Sequence, residues 1–527
     1  MGALELVIAL GCAIVAGEVI ARRFTLPTPI VLVAAGLGLA ALPFVGTVEL
    51  PAEVVLVLFL PVLLFWESLT MSAREMRRYI RGITLTGVLL VIVTAAAVAV
   101  VGHALGLAWG TAWIIGAAVA PTDATAVAAM GRGLPRRTMV ILRAESLIND
   151  GTALVIYALA VGLVTGEETL SAVHVASLFT VSFFGGILIG LAAGYGIFAL
   201  RRRVRDPMVN NVILLLTPFV VYFLAEEVHA SGVLAVVTCG LLWARISPAV
   251  VSASARQRAT PFWSLTTFVL NGALFVLIGL ELPVAAGGLV GSGIGTAILV
   301  TVAVHLTTIV TRFLFLVVSA YLIRLLDRRP SQRALRTTNR ARAVSAVAGF
   351  RGAVSLAVAL SVPAPLAGEA FPARDMIVFV TAGVVVNTLL FQGLALPFVI
   401  RWAGLPEDHS ARDELEAATR AADSEALAAL PELADELGVG DATVDRLRRE
   451  YADRLAESCH DQTTSGEAST TYGRRREAEL RLALLSHQRS TVIRLRDEGR
   501  IDDAVLRQLQ ARLDLEEIRL SGGPVVE

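Results

Sequence analysis

The chain has 527 residues, 55% of them hydrophobic and 17% charged, with a mean hydropathy of +0.70. The 45 basic residues balance the 45 acidic ones, which leaves no basic surplus for nucleic acid, and the apolar excess excludes an ordinary soluble domain. Apolar runs near 20 residues recur from residue 3 to about residue 402. That is the pattern of an all-α polytopic membrane protein, and the alternating pattern of a membrane barrel is absent.

In chain order the predicted spans are 3–20, 29–44, 54–69, 83–105, 109–130, 138–164, 173–200, 209–228, 232–243, 262–282, 293–323, 341–362 and 376–402, thirteen in all. Residues 1–402 thus form an expected transmembrane domain, and 403–527 an expected cytoplasmic tail. In the tail, 413–437 and 444–456 have helical periodicity with many charges, 463–472 reads as a polar linker, and 474–520 reads as one or two amphipathic helices broken at Glu498–Gly499. None of these is apolar enough to span. The expectation is a solvated helical hairpin, with a regulatory domain as the alternative.

Every basic residue is Arg. The odd-numbered connections carry them, starting with Arg22 and Arg23 in the first and Arg74, Arg77, Arg78 and Arg81 in the third. The even-numbered connections hold Arg374 alone. The positive-inside rule makes the odd connections cytoplasmic, the N-terminus external and the tail internal. The first span lacks a basic leader and a small-residue cleavage site, so it reads as a retained helix. Cys12, Cys239 and Cys459 are scattered and suggest neither a disulfide framework nor a metal site.

The sixth span holds Glu145-Ser146-Leu147-Ile148-Asn149-Asp150. Charges at that depth are costly, by roughly 2.5–3.5 kcal/mol each on insertion scales, and are kept mainly where they face a protein-lined cavity that handles protons or ions. Helical spacing puts Ser146 and Asp150 on one face and Glu145 and Asn149 on the adjacent one. A hydroxyl with a carboxylate is a hard oxygen pair suited to a small cation.

Two further spans look interrupted. In the fifth, Pro121 precedes Thr122 and Asp123. Proline frees carbonyls that only a neighbour or a cavity can satisfy, and an unwound stretch with a carboxylate is how secondary transporters build cation sites. A plain kink with a hydrogen-bonded Asp is the alternative. In the twelfth, Gly349 and Gly352 flank Arg351, which is either part of a second break or a snorkeling residue. Arg312 lies deep in the eleventh span and needs a carboxylate. Glu145 matches it best by depth. His305 on the same helix reads as a satisfied packing residue. Glu67 reaches a cytoplasmic funnel or sits at the interface. Glu226, Glu227 and Glu281 read as an outer rim, and Asn271, Asn387 and Gln392 as glue between helices. The two breaks are seven spans apart and so run in opposite directions, as in an inverted repeat of spans 1–6 against 8–13.

Pro121-Thr122-Asp123, then the Glu-Ser-Leu-Ile-Asn-Asp run, then Gly-Phe-Arg-Gly-Ala-Val at 349–354 resemble the sodium/proton exchangers of the cation:proton antiporter superfamily, NhaP/NHE branch, over roughly residues 1–402. The resemblance implies a thirteen-span homodimer whose cation site comprises Asp150, Ser146, Asp123 and the Thr122 carbonyl. It implies that Asn149 stands where electrogenic relatives carry a second Asp, and that Glu145 pairs with Arg312. Ala124 follows the Asp where the family often has Pro, and Trp66 intervenes before Glu67.

Burial disfavours a bare charge, so a carboxylate in such a cavity holds a proton or a cation in turn. With Asn149 unable to titrate, the expected cycle is electroneutral exchange of Na⁺, and also Li⁺, for H⁺ across a bacterial plasma membrane, serving pH and sodium homeostasis. It needs no cofactor and catalyses no chemical conversion. Potassium is the rival cation. A carrier of organic solutes is disfavoured by the short hydroxyl–carboxylate site, a channel by the missing carbonyl filter, and an intramembrane aspartyl protease by the missing Gly-x-Gly-Asp pattern.

Overall fold

The computed structural model describes residues 3–42, 55–131, 134–165, 172–204, 206–251, 253–289, 293–326, 338–362, 371, 373–405, 410–457 and 471–520. Cys459, most of the expected 463–472 linker, and Arg132, Arg205, Arg328, Arg329, Arg333 and Arg336 lie outside these residues. Among the described residues every regular element is a helix.

The membrane part begins with α1 (Ala3–Phe24), α2 (Thr28–Ala40) and α3 (Leu60–Thr70), the last entered through a wide π turn at Val55–Phe59. Next, α4 (Ala73–Thr84) passes through a second π turn at Leu85–Leu89 into α5 (Leu90–Ala104). The short α6 (Trp109–Val119) and α7 (Ala124–Met130) precede α8 (Arg136–Thr165), α9 (Ala172–Arg203), α10 (Pro207–Glu226), α11 (Gly232–Val250), α12 (Ala253–Gly288) and α13 (Gly293–Leu326). A second short pair, α14 (Asn339–Val347) and α15 (Ala353–Leu360), leads to α16 (Arg374–Asn387), a third π turn at Thr388–Gln392, and α17 (Gly393–Ala403).

Among the described residues eight helices are long and apolar enough to cross a membrane, or nine if α6 and α7, bent by 48° at their break, make one span. The shortfall from the expected thirteen has two physical sources. Thr28–Ala40, Val57–Thr70 and Gly232–Ser247 are apolar but short, and the twelfth expected span is cut into α14 and α15. Leu4, Val7, Leu188, Val310 and Leu314 are exposed, as on helices that face lipid. The chain is a polytopic helical membrane protein.

The helices pack in two groups. One gathers α1, α2, α3, α10, α11 and α12, with α9 laid on α10 and α11; the other gathers α4 to α8 and α13 to α17. In the first group Gly36 of α2 faces Gly279 of α12, and a Cβ on either would collide with the other backbone. Small residues let helices approach this closely in lipid.

Two expected loops are helical instead. The arginines of the third connection lie on α4, which Ser72 starts by accepting a hydrogen bond from the Glu75 N–H at 3.2 Å. Arg256 and Arg258 lie on the first turns of α12. Apolar periodicity marks only the part of a helix in lipid, so its polar continuation reads as loop.

The tail also differs from a solvated hairpin. Helices α18 (Ser410–Leu437), α19 (Asp441–Glu457), α20 (Thr471–Asp497) and α21 (Asp503–Leu520) share buried side chains. One cluster joins Ala422, Leu495, Val505 and Leu509, and another joins Leu430, Leu447, Tyr451 and Leu484. The α20–α21 turn falls at Gly499, whose φ of +87° suits a residue without a side chain.

Candidate functional site

The site is built where the two broken helices meet. Helix α6 stops at Val119 because Pro121 cannot continue it, and α7 restarts after Asp123. The Asp123 Oδ1 caps α7, accepting from the Thr125 N–H at 2.7 Å, the Thr125 hydroxyl at 2.5 Å and the Ala126 N–H at 3.4 Å. A carboxylate there satisfies orphan donors and suits the positive end of the helix dipole. The other break runs from Ala348 to Gly352. Across it the Asp123 N–H donates to the Phe350 carbonyl at 2.8 Å. The other Asp123 oxygen lies against Gly352, where a Cβ would overlap it.

Arg351 is 1% exposed and holds the crossing from behind. Its Nε donates to the Val119 carbonyl at 2.9 Å, its Nη1 donates to the Gly349 carbonyl, and its backbone N–H donates to the Thr388 hydroxyl at 3.2 Å. One guanidinium therefore serves freed carbonyls of both breaks, at the negative ends of α6 and α14. This is the broken-helix reading of Arg351 rather than the snorkeling one.

Helix α8 supplies the remaining groups. Asp150 and Ser146 face a cavity of about 250 Å³ that is also lined by Thr122, Asp123, Glu67 and Asn271. Thr70, the last residue of α3, and Arg143 of α8 also line it. Ser146 Oγ accepts from the Ala124 N–H at 3.4 Å, which ties α8 to the restart of α7. On the adjacent face Asn149 donates to the Thr122 hydroxyl at 2.8 Å, and that hydroxyl donates to Glu145 at 3.5 Å. Glu145 and Arg312, each 2% exposed, form an ion pair. Arg312 Nε also donates to the Ser345 carbonyl at 3.0 Å.

Thus Asp150, Asp123, Ser146, Thr122 and Glu67 line one cavity, while Asn149, Glu145, Arg312 and Arg351 lie behind it. Glu67 belongs to the cavity wall and not merely the interface. The intervening Trp66 lines the same wall and stacks on Trp263 with ring centroids 5.6 Å apart. Asn271, expected as glue between helices, also lines the cavity. His305 differs from its expected satisfied state: it is 7% exposed and its Nδ1 has no partner among the described residues. Sequence reasoning missed Thr388, which accepts from the Arg351 N–H, because a lone threonine in an apolar run carries no signal.

The oxygen groups lining the cavity are the carboxylates of Asp123, Asp150 and Glu67 and the hydroxyls of Ser146 and Thr122. Such a set suits a hard cation and not a soft metal. Among the described residues no cluster of three or more His, Cys, Asp or Glu could hold a metal ion.

Residues 6–402 match the family described as sodium/hydrogen exchanger, transmembrane. An uncharacterized Na(+)/H(+) exchanger of Mycobacterium bovis is 40% identical over 520 residues, covering 98% of this chain and 96% of that one. The Na(+)/H(+) antiporter ApNhaP of Aphanothece halophytica is 30% identical over 391 residues, covering 73% and 71%. The structure of the sodium proton antiporter MjNhaP1 from Methanocaldococcus jannaschii at pH 8 superposes with a TM-score of 0.56 at 20% identity, covering 77% of this chain and 98% of that one. At that identity the likeness concerns the fold.

Proposed function

The chain belongs to the sodium/hydrogen exchanger family, and from that premise we propose that it exchanges Na⁺ for H⁺ by alternating access at the cavity between the two helix groups. The family is one of transporters, not enzymes. The observation that carries the site is the meeting of Asp123 and Asp150 with Ser146 and Thr122 in one cavity beside two broken helices. In this reading Asp150 binds proton and cation in turn, with Ser146, an Asp123 oxygen and the Thr122 carbonyl as further ligands. Glu145, Arg312, Asn149 and Arg351 hold the frame, and Glu67 lines the path. Thirteen spans, an external N-terminus, a cytoplasmic domain after residue 402, a homodimer and a cycle that moves no net charge belong to the same proposal. The arginines of the odd-numbered connections support that orientation.

Potassium is not better supported as the cation, and none of the cavity's features favours it. The test is purified protein in proteoliposomes with an imposed proton gradient, with Na⁺, Li⁺ and K⁺ added separately. Proton movement driven by Na⁺ and Li⁺, and absent in Asp150→Asn, is the expected result. Equal movement in that variant would remove Asp150 as the carrier.

A further inference from the structure

Tail helices α20 and α21 do not hang free. They are bonded to both helix groups at the arginine-rich end. On the group holding the breaks, Arg136 at the start of α8 meets two tail carboxylates, Glu414 of α18 at 3.0 Å and Asp502 just before α21, beside Glu75 of α4 at 3.5 Å. Asp503 accepts from the Ser72 hydroxyl at 3.1 Å. On the other group, Arg256 of α12 grips Asp514 through two nitrogens at 2.5 and 2.8 Å. Arg496 donates to the Arg245 carbonyl of α11 at 2.9 Å, and Arg507 donates to the Thr70 carbonyl of α3 at 2.5 Å. Thr70 also lines the cavity. Asp502, Asp503 and Asp514 are each 4% exposed, so these are desolvated contacts and not the screened surface pairs that count for little.

Alternating access requires the two groups to shift against each other, and a segment bonded to both resists that shift. A contact made in one state and lost in the other moves the population toward the first. We propose that the tail is a strap: α20 and α21 hold the two groups in the arrangement seen here and slow exchange until the strap is released. The strap rests on the alternating-access reading above. Its contacts avoid every cavity carboxylate, so its release leaves the ion ligands intact.

The experiment uses the full chain in proteoliposomes. In Arg136→Gln/Arg256→Gln one anchor on each group is removed. The tail is expected to be cut faster by protease, and Na⁺-driven proton movement to rise about threefold to tenfold, as expected when a partly buried ionic contact no longer favours one state. In Ser72→Cys/Asp503→Cys, with Cys12 and Cys459 replaced by Ser, a short thiol cross-linker fixes the strap. Exchange is expected to slow by a similar factor and to recover when a cleavable linker is reduced. A merely structural tail would not move the two variants in opposite directions. A freed tail with unchanged or slower exchange, protease cutting that does not change, or a cross-link without effect would each overturn the strap. A parent protein showing no cation-dependent proton movement would instead refute the exchange reading.

Discussion

At the scale of single residues, Asp123 has two jobs on its two oxygens. One caps α7 and the other borders the cavity at Gly352. The two jobs separate by substitution. Asn caps a helix about as well as Asp, whereas Ala costs about 0.5–2 kcal/mol at such a position. Asp123→Asn should therefore keep the melting temperature in detergent and lose most exchange, while Asp123→Ala should lose both. If Asp123→Asn melted as early as Asp123→Ala, the cap would not be what the carboxylate contributes. Glu145 and Arg312 give a second test. Either alone would leave a buried charge unpaired, at about 3–5 kcal/mol, so Glu145→Gln and Arg312→Gln should each lower thermal stability and the double variant should recover part of the loss. Strictly additive losses would argue against a direct pair. This pair was legible in the sequence because depth along two predicted helices depends only on counting. The Asn149–Thr122 bond was not, because it depends on how the chain turns after Pro121.

At the scale of elements, the two breaks were legible from Pro121 and from the Gly349–Gly352 spacing, since both are local violations of helix chemistry. Their meeting was not, because no local feature says that the Phe350 carbonyl faces the Asp123 N–H. The polar starts of α4 and α12 were missed for the opposite reason: period and apolarity locate a span, and they fall silent where the helix leaves lipid. The contact at the crossing yields a sharp expectation. Gly352→Ala places a methyl group where the Asp123 carboxylate lies. The backbone has little room to yield with Arg351 bonded on both sides. Overpacking of this kind costs about 1–3 kcal/mol, so the variant should melt earlier and exchange far more slowly. Ala353→Gly, one position later, should leave exchange much less affected. Wild-type exchange by Gly352→Ala would mean that the two breaks do not meet as tightly as described.

At the scale of the whole molecule, the tail was legible as helices but not as a docked body, because Asp502 or Asp514 looks like any solvated acid until its partner arrives from a distant helix. The membrane part allows a charge count to be made from its pairings. Glu145 is neutralised by Arg312. Asn149 does not titrate and is spent on Thr122. Asp123 is anchored as the cap of α7, a job that is the same whether or not a cation is present. With Glu67 of the cavity wall keeping one protonation state through the cycle, that leaves Asp150 as the group that exchanges a proton for a cation, with one positive charge carried in each direction and none left over. Exchange should then be electroneutral: its rate, and the cation gradient at which it stops, should not change when a K⁺/valinomycin potential is imposed on proteoliposomes. The sensitive point is Asp123. If its cap loosened during the cycle, its carboxylate would be free to take a second proton, and two protons would return for each cation. A stopping gradient that follows the imposed potential would reveal that stoichiometry, and Asp123→Asn would then make whatever exchange remained insensitive to the potential.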